Sequence, residues 1–161
     1  MDVTTFFAAM EQSSLAYAMR QSLWLYPIAE IAHIAGFVVL VGAVAMFDLR
    51  LLGFSSSTSV RALNRSLSPW TWVAWLSIAP AGVAMFSAHA AEFAASPAFR
   101  VKLVLLAAAA VNALMFRNGV FRSVDSWDRH QRTPSAAKSF AALSLAIWIG
   151  VISCGRLIAY L

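Results

Sequence analysis

Four stretches of this chain are each long and apolar enough to cross a lipid bilayer. A span needs about 20 predominantly apolar residues, and such runs lie at roughly 24–50, 69–93, 98–116 and 136–160. Inside lipid every backbone N–H and C=O must find a partner within the protein, so runs of this length can only be helices. The connections between them are too short for a second globular domain. Residues 1–161 therefore read as a single all-α integral membrane domain, a four-transmembrane-helix bundle. Composition agrees, with 61% hydrophobic and 12% charged residues where a soluble domain carries about a quarter charged.

The first 22 residues precede the spans. Asp2 and Glu11 come before the first basic residue, Arg20, whereas a secretory signal starts basic. Phe6, Phe7, Met10 and Tyr17 recur at helical spacing, so residues 1–22 are either a short helix lying in the interface or a frayed tail. Cys154 is the single cysteine and has no partner for an internal disulfide.

Proline spacing supports the spans. Pro27, Pro69, Pro97 and Pro134 are expected in first turns, where a missing N–H costs nothing. Ser68, Ser96 and Thr133 precede three of them as candidate N-caps. Pro80 falls inside the second span and predicts a kink.

Basic residues set the expected orientation. Arg50, Arg61, Arg65, Arg117, Arg122, Arg129, Arg132 and Lys138 put eight of the twelve Lys and Arg on one face. That face should be cytoplasmic, with both termini outside, in a bacterial inner membrane. The pI of about 10.2 then reflects topology and attraction to anionic lipid headgroups. With no basic, aromatic-interleaved soluble surface, nucleic acid is not an expected partner.

The first span carries Glu30 and His33, and the second carries His89 and Glu92 in "AMFSAHAAEF". An ionisable group near the bilayer centre costs about 2.5 kcal/mol or more, so such residues are functional candidates by default. Residues three apart share a helix face, and each glutamate is the outer member of its pair. From the expected boundaries His33 lies about 8 Å deep and His89 about 3 Å, within the error of those boundaries. The two imidazoles can then share one layer and ligate a haem iron from both sides. Lys102 and Arg100 in the third span and Arg156 in the fourth fall at the same level. Against Glu30 and Glu92 they leave one excess positive charge, which a ferric haem with two propionates would neutralise and a bare divalent cation would worsen. Arg156 with Lys102 would pair with the propionates. Gly36 and Gly82 would leave space for the porphyrin, and Glu30 and Glu92 would orient an imidazole or handle protons. Asp48 and Arg50 read first as an interfacial ion pair, and His130 as a solvated loop residue.

"IAHIAGFVVLVGAVAMFDLRLLG" resembles the first span of the copper resistance protein D and HemJ-like superfamily of small membrane proteins. "FRVKLVLLAAAAVNALMF" is similar to a later span of that superfamily, and "IWIGVISCGRLIAYL" to the end of a four-span bacterial family with the same layout. The resemblance covers roughly residues 25–161. It implies haem b bound in the membrane, with His33 at the position of a span-one ligand, or copper handling. The chain departs from it in lacking methionine- and histidine-rich outer loops and in having "VNALMF" where a Tyr-His pair is expected.

The expected function is therefore electron transfer by a bis-histidine haem b near the outer face. The chain would work with a membrane or periplasmic redox partner or a quinone, and as an enzyme only as part of a membrane oxidoreductase. The alternatives are a non-enzymatic accessory subunit with no cofactor and a copper- or other metal-handling transporter.

Overall fold

The apolar runs become four long helices in the computed structural model, which describes residues 3–158 and 160. Two short helices come first, α1 (Val3–Glu11) and α2 (Ser14–Gln21); α3 (Leu25–Leu52) and α4 (Val60–Ala88) follow. A six-residue helix, α5 (Ala90–Ala95), leads into α6 (Pro97–Asn118); a 3₁₀ segment (Val120–Ser126) then precedes α7 (Ser135–Leu157). No strand occurs among the described residues.

The second span differs most from its expected limits. Ser59, not Ser68, is its N-cap, accepting from the Ala62 N–H at 3.0 Å. "VRALNRSLS" holds no helix breaker, so the helix runs back through Pro69, which lies in its interior. Its C-terminal end, on the side of the bundle where α1 and α2 lie (called outer as a label only), comes early: the chain leaves helical geometry at His89, with φ −143° and ψ 49°. Pro97 does open α6, with Ser96 as its cap. In the fourth span Pro134 itself takes the capping position, and Thr133 does not.

α3 packs along α4 on one side and α7 on the other, and α7 packs on α6. Among the described residues α4 and α6 do not pack directly. At the outer end of that gap Phe86 stacks on Phe99, with ring centroids 5.3 Å apart. The α3–α4 approach is close because Gly36 has no side chain: a Cβ there would meet Ile78 Cγ1 at 2.9 Å and the Ala74 carbonyl oxygen at 3.0 Å. Only 17% to 28% of an apolar 18-residue stretch in each span is buried within the bundle. The outward faces, with Ile31, Val38, Leu76, Val104 and Ile149 exposed, are apolar and suit lipid. The protein is thus built as a multi-pass membrane bundle.

Two apolar clusters fill the interior. One, at the inner end, contains Leu51, Val60, Phe116, Trp127 and Ala141. The other contains Leu40, Ala74, Ile147, Trp148 and Val151. Between them on α3 and α6 sit Asp48 and Asn112, both buried. The expected Asp48–Arg50 pair is not formed. Two residues apart on a helix, the side chains leave on different faces, and Arg50 turns to the inner loops. Its Nε donates to the Thr58 carbonyl at 2.6 Å and its Nη2 to the Asp128 carbonyl at 2.8 Å. The Asp128 carboxylate in turn accepts from the Ser59 hydroxyl at 2.7 Å and the Arg61 N–H at 2.9 Å. Burial would push the Asp128 carboxyl up, but the Arg61 amide, the Ser59 hydroxyl, the Val60 amide and the Arg129 charge together hold it below the ordinary carboxylate range.

Of the 22 residues before the spans, 1 and 2 lie outside the described residues, and 3–22 contribute structure rather than a tail. α2 packs on α4, and α1 on α4 and α5. Arg20 braces them: Nη1 donates to the Ala88 carbonyl at 2.9 Å and Nη2 to the Glu11 carbonyl at 2.6 Å. Ala88 ends α4, where carbonyls lack helical partners and a cation is favoured. The Glu11 carboxylate accepts from the Ala91 N–H at 2.8 Å, in the first turn of α5.

Candidate functional site

His33 is placed by α3 and held by α4. Its Nδ1 lies 3.0 Å from the Ile78 carbonyl oxygen. A carbonyl only accepts, so Nδ1 must carry the proton, and the neutral ring keeps its lone pair on Nε2. One turn outward from the His33 contact on α4, Gly82 gives the ring room, since a Cβ there would stand 3.1 Å from Cε1 and 3.3 Å from Nδ1. Ser77 adds a second tie between the helices, donating its hydroxyl to the Ala32 carbonyl at 2.8 Å.

α6 brings Lys102 to the same region. Its ammonium group points at α7, 3.7 Å from where a Gly155 Cβ would stand. Lys102 lies close to His33 and to Cys154. His33, Lys102 and Cys154 thus form a polar group inside the outer half, drawn from α3, α6 and α7.

His89 stands elsewhere. Its ring packs edge-on to Tyr26, with centroids 6.1 Å apart, and to Phe93 at 6.3 Å. Tyr26 is seven residues before His33, and Gly82 is seven before His89. Two helical turns, about 10 Å of rise, therefore separate the two levels. The expectation of two imidazoles in one layer does not hold, because α4 ends at Ala88 and His89 lies past its last turn. For the same reason His89 and Glu92 are not one turn of a common span; Glu92 belongs to α5. Glu30 and Glu92 are both exposed, near His89 and Tyr26 at the outer rim.

The two glycines do not line empty space. Gly36 is filled by Ile78, Ala74 and Ser77, and Gly82 by the His33 ring itself. Arg156 is exposed; it donates to the Tyr160 hydroxyl and lies over that ring, 4.7 Å from its centroid. Arg100 turns back to the Ala95 carbonyl at 2.7 Å. Of the cations expected near a propionate, Lys102 alone points into the bundle. Cys154, Gly155 and Tyr26 were missed as site residues; no local motif marks them, and their relevance depends on which helices are neighbours.

Among the described residues no three of His, Cys, Asp and Glu converge as a metal-holding set. An iron at His33 would draw its other donors from a ligand such as a porphyrin. Comparisons with protein-family models, curated proteins and solved structures returned no match.

Proposed function

We propose that the chain is a membrane haem-b protein for electron transfer, with His33 as an iron ligand. One observation carries this reading: Nδ1 of His33 lies 3.0 Å from the Ile78 carbonyl oxygen, which holds the proton there and leaves the lone pair of a neutral ring on Nε2. Ligating histidines characteristically donate their other N–H to a carbonyl or carboxylate, which sets tautomer and ring orientation. Lys102, half-buried, would supply a cation for one propionate. The flat group would sit on the α4–α6 side, where among the described residues the two helices do not pack directly.

Bound haem would supply one-electron chemistry. The chain's own residues orient the His33 ring and gather exposed carboxylates at the rim beside His89. A quinol or a periplasmic protein would deliver electrons there, with both termini on that side of a bacterial inner membrane. His89 lies at the rim and is not an axial ligand in this arrangement.

The test is a reduced-minus-oxidised visible spectrum of the detergent-purified chain, expressed with haem available, beside His33→Ala and His89→Ala. Soret and α bands should be present in the wild type, lost in His33→Ala and retained in His89→Ala. A colourless wild type ends the haem reading and leaves an accessory or cation-handling role. Bands that survive His33→Ala end the ligand assignment.

A further inference from the structure

One face of α4 changes character along its length. Arg61, Asn64, Arg65 and Ser68 recur at spacings of three and four and share a face. Trp72 and Leu76 extend it toward the middle of the span, with 68% and 75% of their surface exposed. Arg122 and Phe121 of the 3₁₀ segment close the polar half from the other side. The polar face, Trp72 and these two residues bound an open cleft of about 560 Å³ at the inner end of the bundle, and Leu76 lies one turn beyond it.

The charges in the cleft are largely uncommitted. Arg61 pairs with Asp125 at 2.7 Å, with both side chains more than half exposed. Among the described residues the side chains of Arg65 and Arg122 have no hydrogen-bond or ion-pair partner. Guanidinium groups match phosphate oxygens in a fixed fork, and Asn64 and Ser68 add neutral donors. The apolar continuation over Trp72 and Leu76 has no use for a soluble phosphate compound. It suits an acyl chain running down the outside of α4 from a headgroup held above it.

We infer that this cleft binds the phosphodiester headgroup of an anionic phospholipid, with an acyl chain laid along Trp72 and Leu76. The site is independent of the haem reading, since it shares no residue with the His33 region. Basic pockets between membrane helices bind anionic headgroups, and each Arg or Lys near an anionic lipid surface contributes about fivefold in affinity.

Native mass spectrometry of the full chain in detergent tests it, with phosphatidylglycerol against phosphatidylcholine. Variants are Arg65→Gln with Arg122→Gln, and Arg132→Gln as an exposed basic control outside the cleft. Phosphatidylglycerol should be retained in preference to phosphatidylcholine. The double variant should weaken it about 25-fold, and Arg132→Gln should leave it within twofold. Equal retention of the two lipids overturns the inference. So does a control variant that matches the double variant, which would mean diffuse attraction to a basic face. Displacement of the lipid by millimolar inorganic phosphate would instead assign the cleft to a soluble phosphate ligand.

Discussion

Replacing Asp48 by Asn should stabilise the protein. Asp48 keeps only 5% of its surface exposed and Asn112 keeps 7%. Each has one buried side-chain oxygen, Oδ2 of Asp48 and Oδ1 of Asn112, that receives no hydrogen bond. Asn112 spends its own N–H on the Phe140 carbonyl at 3.1 Å, and the Ser144 hydroxyl one turn further along α7 faces Asp48. The layer between the two apolar clusters is therefore rich in acceptors and poor in donors. A buried acceptor left unpaired costs about 1–3 kcal/mol, and a buried carboxylate costs more. Asp48→Asn keeps the shape, removes the charge and adds two N–H groups, so a gain of about 1 kcal/mol follows. For a chain of this size that is about 2–4 °C in the thermal midpoint. The assay is thermal unfolding of the purified full chain in one detergent at neutral pH, with Asp48→Ala alongside. The alanine variant leaves a cavity and still strands Asn112, and should lose about 2 kcal/mol. A loss of 1 kcal/mol or more for Asp48→Asn would refute the reasoning, because it would mean that the carboxylate is matched by a positive charge held in that layer.

Two further outcomes are expected. Gly36→Ala should cost about 1–3 kcal/mol, the range for overpacking, because its Cβ would stand 3.0 Å from the Ala74 backbone oxygen, which cannot yield; Gly42→Ala, with no atom within 4 Å, should be neutral or gain up to about 1 kcal/mol from helix propensity. Asp128 has a depressed folded value, so its contribution is complete above the unfolded carboxylate range near 4 and is lost as pH falls through the folded value. The thermal midpoint of the wild type should drop more steeply below about pH 4 than that of Asp128→Asn, measured in the same buffer series.

The four spans were legible because lipid leaves a 20-residue apolar run only one solution. Their ends were less so. Ser59 and Ser68 are equivalent as caps on paper, and only the absence of a breaker over residues 60–68 favours the first. The outer end of α4 carries no local stop signal at His89, and the regular His-x-x-Glu spacing there imitates a helix that has already ended. Counting depth from that end brought His89 level with His33. Glu30 and His33 do share a helix, and His33 does face its neighbour, as the pattern suggested. Arg50 shows the other limit: its partner Asp128 is 78 residues away, a pairing that depends on how two inner loops meet. The convergence of Lys102 and Cys154 on His33 likewise required the order in which helices stand around the bundle.

The brace at the outer end has a consequence for how the chain is made. Arg20 is 68 residues ahead of the Ala88 carbonyl it binds. At about 5–20 residues per second of synthesis, that partner appears about 3–14 s later. During that interval Phe7, whose ring ends 5.9 Å from Phe86, lacks the α4 surface it packs on. The first two helices cannot make these contacts until α4 is in place. They close over the bundle last among the elements up to α5, although they leave the ribosome first.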